Sequence, residues 1–204
     1  MASFYDLKPA FQGLLRPLVR ALAARGVSAN QVTVAACALS ILGGAVIYRW
    51  AGTAPAVMLL LPFILFARMG MNAVDGMLAR EHDMRSALGG FLNELADVVS
   101  DAALYLPLAV LPGVSPPAVV LFVLLAACSE IAGIVSAAQG ASRRYDGPMG
   151  KSDRAFAIGA LGLLAGLGAD SGSWINWVLL ALASMVLLTV VNRVRNGLKE
   201  IESR

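Results

Sequence analysis

Six apolar stretches divide the chain, at about 31–48, 54–74, 87–111, 117–138, 155–169 and 174–192. Each approaches the roughly 20 residues needed to cross ~30 Å of hydrocarbon. Turn and cap chemistry separates them: Gly52-Thr53-Ala54-Pro55, Pro112-Gly113-Val114-Ser115-Pro116-Pro117, Asp146-Gly147-Pro148 and Asp170-Ser171-Gly172-Ser173. The pattern predicts an all-α, polytopic membrane protein of six transmembrane helices. With no repeat or low-complexity linker visible, residues 1–204 read as a single domain, whose six-helix bundle runs over 30–194. Ahead of the bundle, Phe11, Leu14, Leu15, Leu18, Val19 and Leu22 recur at spacings of three and four, with arginines on the other flank. Residues 1–29 are therefore expected to form an interfacial amphipathic helix at a headgroup layer. They do not read as a signal peptide, because Arg16, Pro17, Arg20 and Arg25 break any apolar core and no small-residue cleavage site follows.

Composition agrees. The chain is 58% hydrophobic with a mean hydropathy of +0.74, and 14% of its residues are charged. A soluble domain carries about 25% charge, and disorder needs the opposite balance. The net charge of +3 and pI near 9.1 are explained by position. With the N-terminus inside, 14 of the 16 basic residues fall in cytoplasmic segments; Arg49 lies outside and Arg68 within the second span. Basicity thus marks topology and anionic lipid, and no nucleic-acid partner is expected. Both termini are expected in the cytoplasm of a cell whose inner membrane holds the chain. Cys37 and Cys128 read as small core hydrophobes, without metal or disulfide spacing.

Intramembrane charge costs ~2.5–3.5 kcal/mol per group on insertion scales, so its location points to function. Six of the thirteen acids lie between residues 75 and 101. Arg68, Asn72, Asp75 and Ala79 are spaced four, three and four apart, along one face of the second span; Asn93, Asp97 and Asp101 repeat the device on the third. The short connection between them makes these spans antiparallel neighbours, and their polar faces converge at the cytoplasmic boundary. Carboxylates and amide oxygens from two rigid helices are hard ligands suited to Mg²⁺ or Mn²⁺, ions that would also hold a pyrophosphate. Gly76, Ala79, Gly89 and Gly90 let a ligand approach the backbone. The competing structural role is interhelical hydrogen bonding with close glycine packing. That role suits Asn72 alone, but packing rarely needs so many buried ions.

The segment Asn72-x2-Asp75-Gly76-x2-Ala79-Arg80, followed after eight residues by Gly89-x3-Asn93-x3-Asp97, resembles the signature of the CDP-alcohol phosphatidyltransferases. In that family, aspartates stand at both asparagine positions. Ser28-Ala29-Asn30-Gln31-Val32-Thr33 also resembles the Pro-Asn-x-x-Thr element that opens the family's first span. The resemblance implies transfer of a phosphatidyl group from CDP-diacylglycerol to an alcohol, with release of CMP, in phospholipid biosynthesis. It implies metal ligation by Asn72, Asp75, Asn93 and Asp97, with Asp97 helping to deprotonate the acceptor. It further implies CDP binding by Gly76, Ala79, Arg80 and Gly89, and a homodimer.

Each Asp-to-Asn departure removes one negative charge while leaving an oxygen donor. Asp101 could replace a missing carboxylate if the alignment slid by one turn, but Gly89 and the eight-residue interval favour the register given. Lys151 and Arg154, in a cytoplasmic basic cluster with Arg143 and Arg144, suit either a phosphorylated acceptor such as glycerol 3-phosphate or positive-inside anchoring. Glu130, inside the fourth span, could line the cavity or pair with Arg68. His82 reads as a solvated loop residue, and Trp50, Trp174 and Trp177 as outer-interface anchors. No Ser/His/Asp or Cys/His pair is available for covalent catalysis, which favours direct transfer. Two rival classes remain: a catalytically degenerate CDP-lipid-binding protein, suggested by the two asparagines, and a small ion-coupled transporter, which would spread its acids across the bilayer.

Overall fold

The computed structural model describes residues 4–169 and 172–203, and they form seven α-helices without strands. The first three residues of the expected interfacial segment, Asp170 and Ser171 of the last predicted turn, and Arg204 lie outside the described residues. Helix α1 spans Phe4–Ala24, α2 Ala29–Trp50, α3 Leu60–Glu81, α4 Ala87–Tyr105, α5 Pro116–Ala138, α6 Lys151–Gly166 and α7 Ser173–Glu202. Short 3-10 turns at Pro55–Leu59 and Leu106–Val110 lead into α3 and out of α4. Each of the six predicted stretches has its helix.

The ends follow local chemistry. Ser28 caps α2, its hydroxyl accepting from Gln31 N at 3.2 Å while Gln31 Oε1 accepts from Ser28 N at 2.9 Å. At α6, Gly150 N donates to Asp153 Oδ2 at 2.9 Å, which starts that helix four residues before the apolar run does. Pro107 tightens the end of α4 into a 3-10 turn, so the third stretch is helical only to Tyr105 before the geometry changes. Because α7 continues through its polar end to Glu202, it outruns the stretch that predicted it.

Four helical stretches are long and apolar enough to cross a membrane: Ala29–Trp50, Pro55–Glu81, Pro116–Ala138 and Ser173–Glu202. The other two fall short for separate reasons. Glu94, Asp97 and Asp101 interrupt α4, and α6 has 16 residues.

Helix α2 packs on α3 and α4, α3 on α6, and α5 on α4 and α7. The main core joins Ile47, Leu61, Tyr105, Phe122, Ile158, Ile175 and Leu179, all fully buried, and Tyr105 meets Phe122 at 5.8 Å between ring centroids. A smaller core joins α1 to α2 and α3 through Val19, Val32, Val74, Met77 and Leu78. The apolar side of α1 is wider than this contact. Leu15, Val19 and Leu22 face the protein, whereas Leu14 and Leu18 stay 80% and 49% exposed.

The cysteine expectation needs correction for one residue. Cys37 is half-buried, but Cys128 is exposed. Helix α5 is apolar on every side, so hydrophobicity alone does not tell its core face from its outer face. Trp50, Trp174 and Trp177 are all exposed, and His82 caps the end of α3 half-buried.

Candidate active site

Helices α3 and α4 are joined by five residues, 82–86, and their signature positions meet at the end of the hairpin. Asp75, Gly76, Ala79 and Arg80 from α3 line one cavity of about 360 Å³ together with Gly89, Gly90 and Asn93 from α4. The start of α2 closes it with Ala29, Asn30 and Thr33. Thr33 Oγ1 donates to Asp75 Oδ2 at 2.8 Å, and Asn30 Nδ2 donates to Ser86 Oγ at 3.3 Å. Ser86 caps α4 by accepting from Gly89 N at 2.9 Å. Asn30 and Thr33 are thus site residues, which the sequence marked only as an element opening the first span. A Cβ on Gly89 would lie 2.7 Å from Asn30 Oδ1, so any larger residue would push Asn30 out of its place at this corner. At Gly76 a Cβ would lie 3.0 Å from the Arg80 guanidinium, which folds back over the helix at that point.

A second cavity, of about 500 Å³, runs between α3 and α6. Its walls are apolar, with Leu65, Phe66, Met69, Phe156 and Leu163 among them, and Arg68, Asn72, Lys151 and Ser152 supply its polar part. Asn72 therefore faces a different cavity from Asp75, although three residues separate them.

Asp97 lines neither cavity; it is buried in a polar seam with Lys151 and Arg68, which line the second. Its carboxylate pairs with the Lys151 ammonium and accepts from Arg68 Nη2 at 3.3 Å. Arg68 Nη2 also donates to the Asp97 carbonyl at 3.1 Å, and Nη1 donates to Asp101 Oδ1 at 2.5 Å. Asp101 Oδ2 accepts from Arg154 Nη2 at 3.1 Å. Arg154, fully buried, continues to Glu130 at 2.9 Å and Ser129 at 3.0 Å. Arg193 and Arg143 complete the surroundings of Glu130 at 3.5 and 3.6 Å, and Arg143 also pairs with Glu94.

These contacts decide several open points. Glu130 pairs with arginines of α6, α7 and the preceding loop, and Arg68 turns instead to Asp97 and Asp101. Lys151 and Arg154, adjacent in the sequence cluster, separate: Lys151 reaches the cavity seam, and Arg154 enters the buried network. The Arg68 contacts were not assigned from sequence, although the four-residue spacing from Arg68 to Asn72 placed it on the right face.

A divalent cation fits the donor set in part. Hard oxygen donors come from both helices, as carboxylates at Asp75 and Asp97 and amides at Asn72 and Asn93. Among the described residues, however, no group of three or more His, Cys, Asp or Glu could hold a metal ion. Asparagines and arginine pairing account for this: two signature positions carry no charge, and Asp101 is engaged on both oxygens.

The comparisons with known proteins agree with this geometry. The family model described as CDP-alcohol phosphatidyltransferase matches residues 26–194. The inner membrane protein YnbA of Escherichia coli (strain K12) is 43% identical over 199 residues, which cover 96% of each chain. In fold, the chain resembles Mycobacterium tuberculosis phosphatidylinositol phosphate synthase, PgsA1. Against its structure with CDP-DAG bound, the TM-score is 0.72 at 18% identity, covering 89% of this chain and 92% of that one. Against its complex with manganese and citrate, the TM-score is 0.70 at 19% identity, covering 89% and 87%. A match that starts just ahead of α2 and ends within α7 takes in both cavities and the seam between them, and the chain belongs to the CDP-alcohol phosphatidyltransferase family.

Proposed function

We propose that this chain transfers a phosphatidyl or related substituted-phosphate group from CDP-diacylglycerol, or another CDP-alcohol, to an acceptor hydroxyl, with release of CMP. The observation that carries the reading is the gathering of Asp75, Gly76, Ala79, Arg80, Gly89 and Asn93 around one small cavity, with Asp97 paired to Lys151 of the adjoining groove. Arg80 and the small residues would receive the cytidine diphosphate, with the guanidinium neutralising phosphate charge. The apolar groove between α3 and α6 would take the donor's acyl chains, whose hydrocarbon matches its walls.

Asp97 accepts the proton of the attacking hydroxyl. Lys151 and Arg68 hold its carboxylate from two sides, so its orientation is set before substrate arrives. Asp75, with the Asn93 amide across the same cavity, would hold Mg²⁺ or Mn²⁺, which would neutralise charge developing on the pyrophosphate; Asn72, on the groove side, would join only through the substrate. Lys151 lines the groove as well as touching Asp97, a position from which it could also meet a phosphorylated acceptor.

In the membrane, α2 to α7 make six spans. Helices α4 and α6 turn their charges toward each other, at Asp97–Lys151 and Asp101–Arg154, and leave apolar side chains such as Phe91 and Phe156 outward for lipid. Helix α1 lies at the cytoplasmic interface, where exposed Leu14 and Leu18 meet the headgroup layer. Both termini and the site face the cytoplasm, residues 1–204 act as one domain, and the chain works as a homodimer.

Purified protein with CDP-diacylglycerol, Mg²⁺ or Mn²⁺ and a panel of alcohols tests the transfer. CMP and a new lipid are expected with at least one acceptor, and both should vanish in Asp97→Asn. Unchanged turnover in Asp97→Asn and Asp75→Asn would sink the assignment. The amides at 72 and 93 favour one alternative, a CDP-lipid-binding protein without turnover, and CDP-diacylglycerol binding with no CMP from any acceptor would select it.

A further inference from the structure

Two divalent ions are balanced by four carboxylates, and the signature positions of this chain bring two, Asp75 and Asp97. Asn72 and Asn93 are neutral, and Asp101 cannot make up the difference. Its Oδ1 holds Arg68 at 2.5 Å and its Oδ2 holds Arg154 at 3.1 Å, both inside the protein. Asp97 is already matched by Lys151 and by Arg68 at 3.3 Å. Asp75 is different. Among the described residues it has no ion pair, and its bonded side-chain neighbour is the neutral Thr33 hydroxyl at 2.8 Å.

Resting on the transferase reading, we infer that the centre takes a single divalent cation on the Asp75 side, and that Lys151 and Arg68 supply at Asp97 the positive charge of a second. A second dication at Asp97 would have to displace the ammonium or share one carboxylate with two other cations, and like charges oppose both arrangements. Arg68 cannot easily withdraw, because Asp101 fixes its other nitrogen and Arg154 fixes Asp101. Asp101 and Arg154 are therefore positioning residues for Arg68, and Asp101 is not a metal ligand.

Mn²⁺ titration of the full-length protein in detergent, with and without CDP-diacylglycerol and with free Mn²⁺ read by electron paramagnetic resonance, tests this directly. One Mn²⁺ per chain is expected. Asp101→Asn should keep that count, whereas Asn72→Asp combined with Asn93→Asp and Lys151→Ala should raise it to two. Two ions, or none, on the unmodified chain overturn the inference, as does a count that falls to zero in Asp101→Asn or stays at one in the triple variant. The unmodified chain decides the matter even if the triple variant does not fold. Failure of the transferase reading looks different: CMP is absent with every acceptor while one Mn²⁺ still binds.

Discussion

The two cavities on either side of α3 differ in everything except the helix they share. One is small and polar, closed by the capped starts of α2 and α4; the other is larger and apolar, bounded by α6. Asp75 and Asn72 lie only about 60° apart around α3, on one polar face, yet they line different cavities, because α6 packs against one edge of that face and α2 with α4 against the other. Under the proposed function, the contrast divides the donor's charged head from its hydrocarbon tails across two adjoining flanks of one helix. Asp97 and Lys151 stand where the flanks meet.

Four perturbations, in descending order of expected effect, would break or sharpen that division. Asp97→Asn acts at the seam and removes the proposed proton acceptor. CMP release should fall by about 10²–10⁴-fold, the range for loss of a general base, with little change in donor affinity measured by equilibrium binding. Gly89→Ala acts on the polar flank alone. Its Cβ would meet Asn30 Oδ1 at 2.7 Å, and turnover should drop about tenfold as the cavity corner closes. The loss should be the same for donors with long and short acyl chains.

Ala155→Trp acts on the apolar flank by filling the groove. KM for long-chain CDP-diacylglycerol should rise about fivefold with kcat retained, as expected when binding common to ground and transition states is removed. A short-chain donor should be spared. Equal losses with both donors would argue that the tails lie elsewhere.

The smallest effect concerns the loop that delivers Lys151 to the seam. Arg144 holds Asp146 in a two-pronged pair at 2.7 and 2.8 Å and reaches Glu200 of α7 at 3.0 Å. The Arg144 hydrogen bonds hold the Asp146 carboxyl below the ordinary aspartate value. A carboxyl with a folded pKa below its unfolded one contributes stability above the unfolded value, and that contribution is lost as pH falls through the folded value. Hydrogen exchange of the 142–150 amides should therefore accelerate, beyond its intrinsic pH dependence, below about pH 4. Arg144→Met should abolish that extra response.

Much of this division was legible beforehand. The four-three-four spacing from Arg68 to Ala79 gave a polar face to α3, and the matching repeat from Asn93 to Asp101 gave one to α4, because helix period converts sequence spacing into direction. What spacing cannot supply is the partner across a gap. Arg68 and Asp101 are 33 residues apart, Lys151 and Asp97 are 54 apart, and each pair depends on which helix packs beside which. The pairing of Glu130 with Arg154, and not Arg68, was hidden for the same reason.

Sequence by itself determined that this is a helical membrane protein, where its acids cluster, and which signature that cluster resembles. Hydrophobic length and residue type are local properties, readable without coordinates. Tertiary structure alone decided which carboxylates are spent on arginines, that Thr33 and Asn30 close the polar cavity, and that Asn72 faces the groove. A charge's function depends on its nearest countercharge, and only packing of distant helices brings the two together.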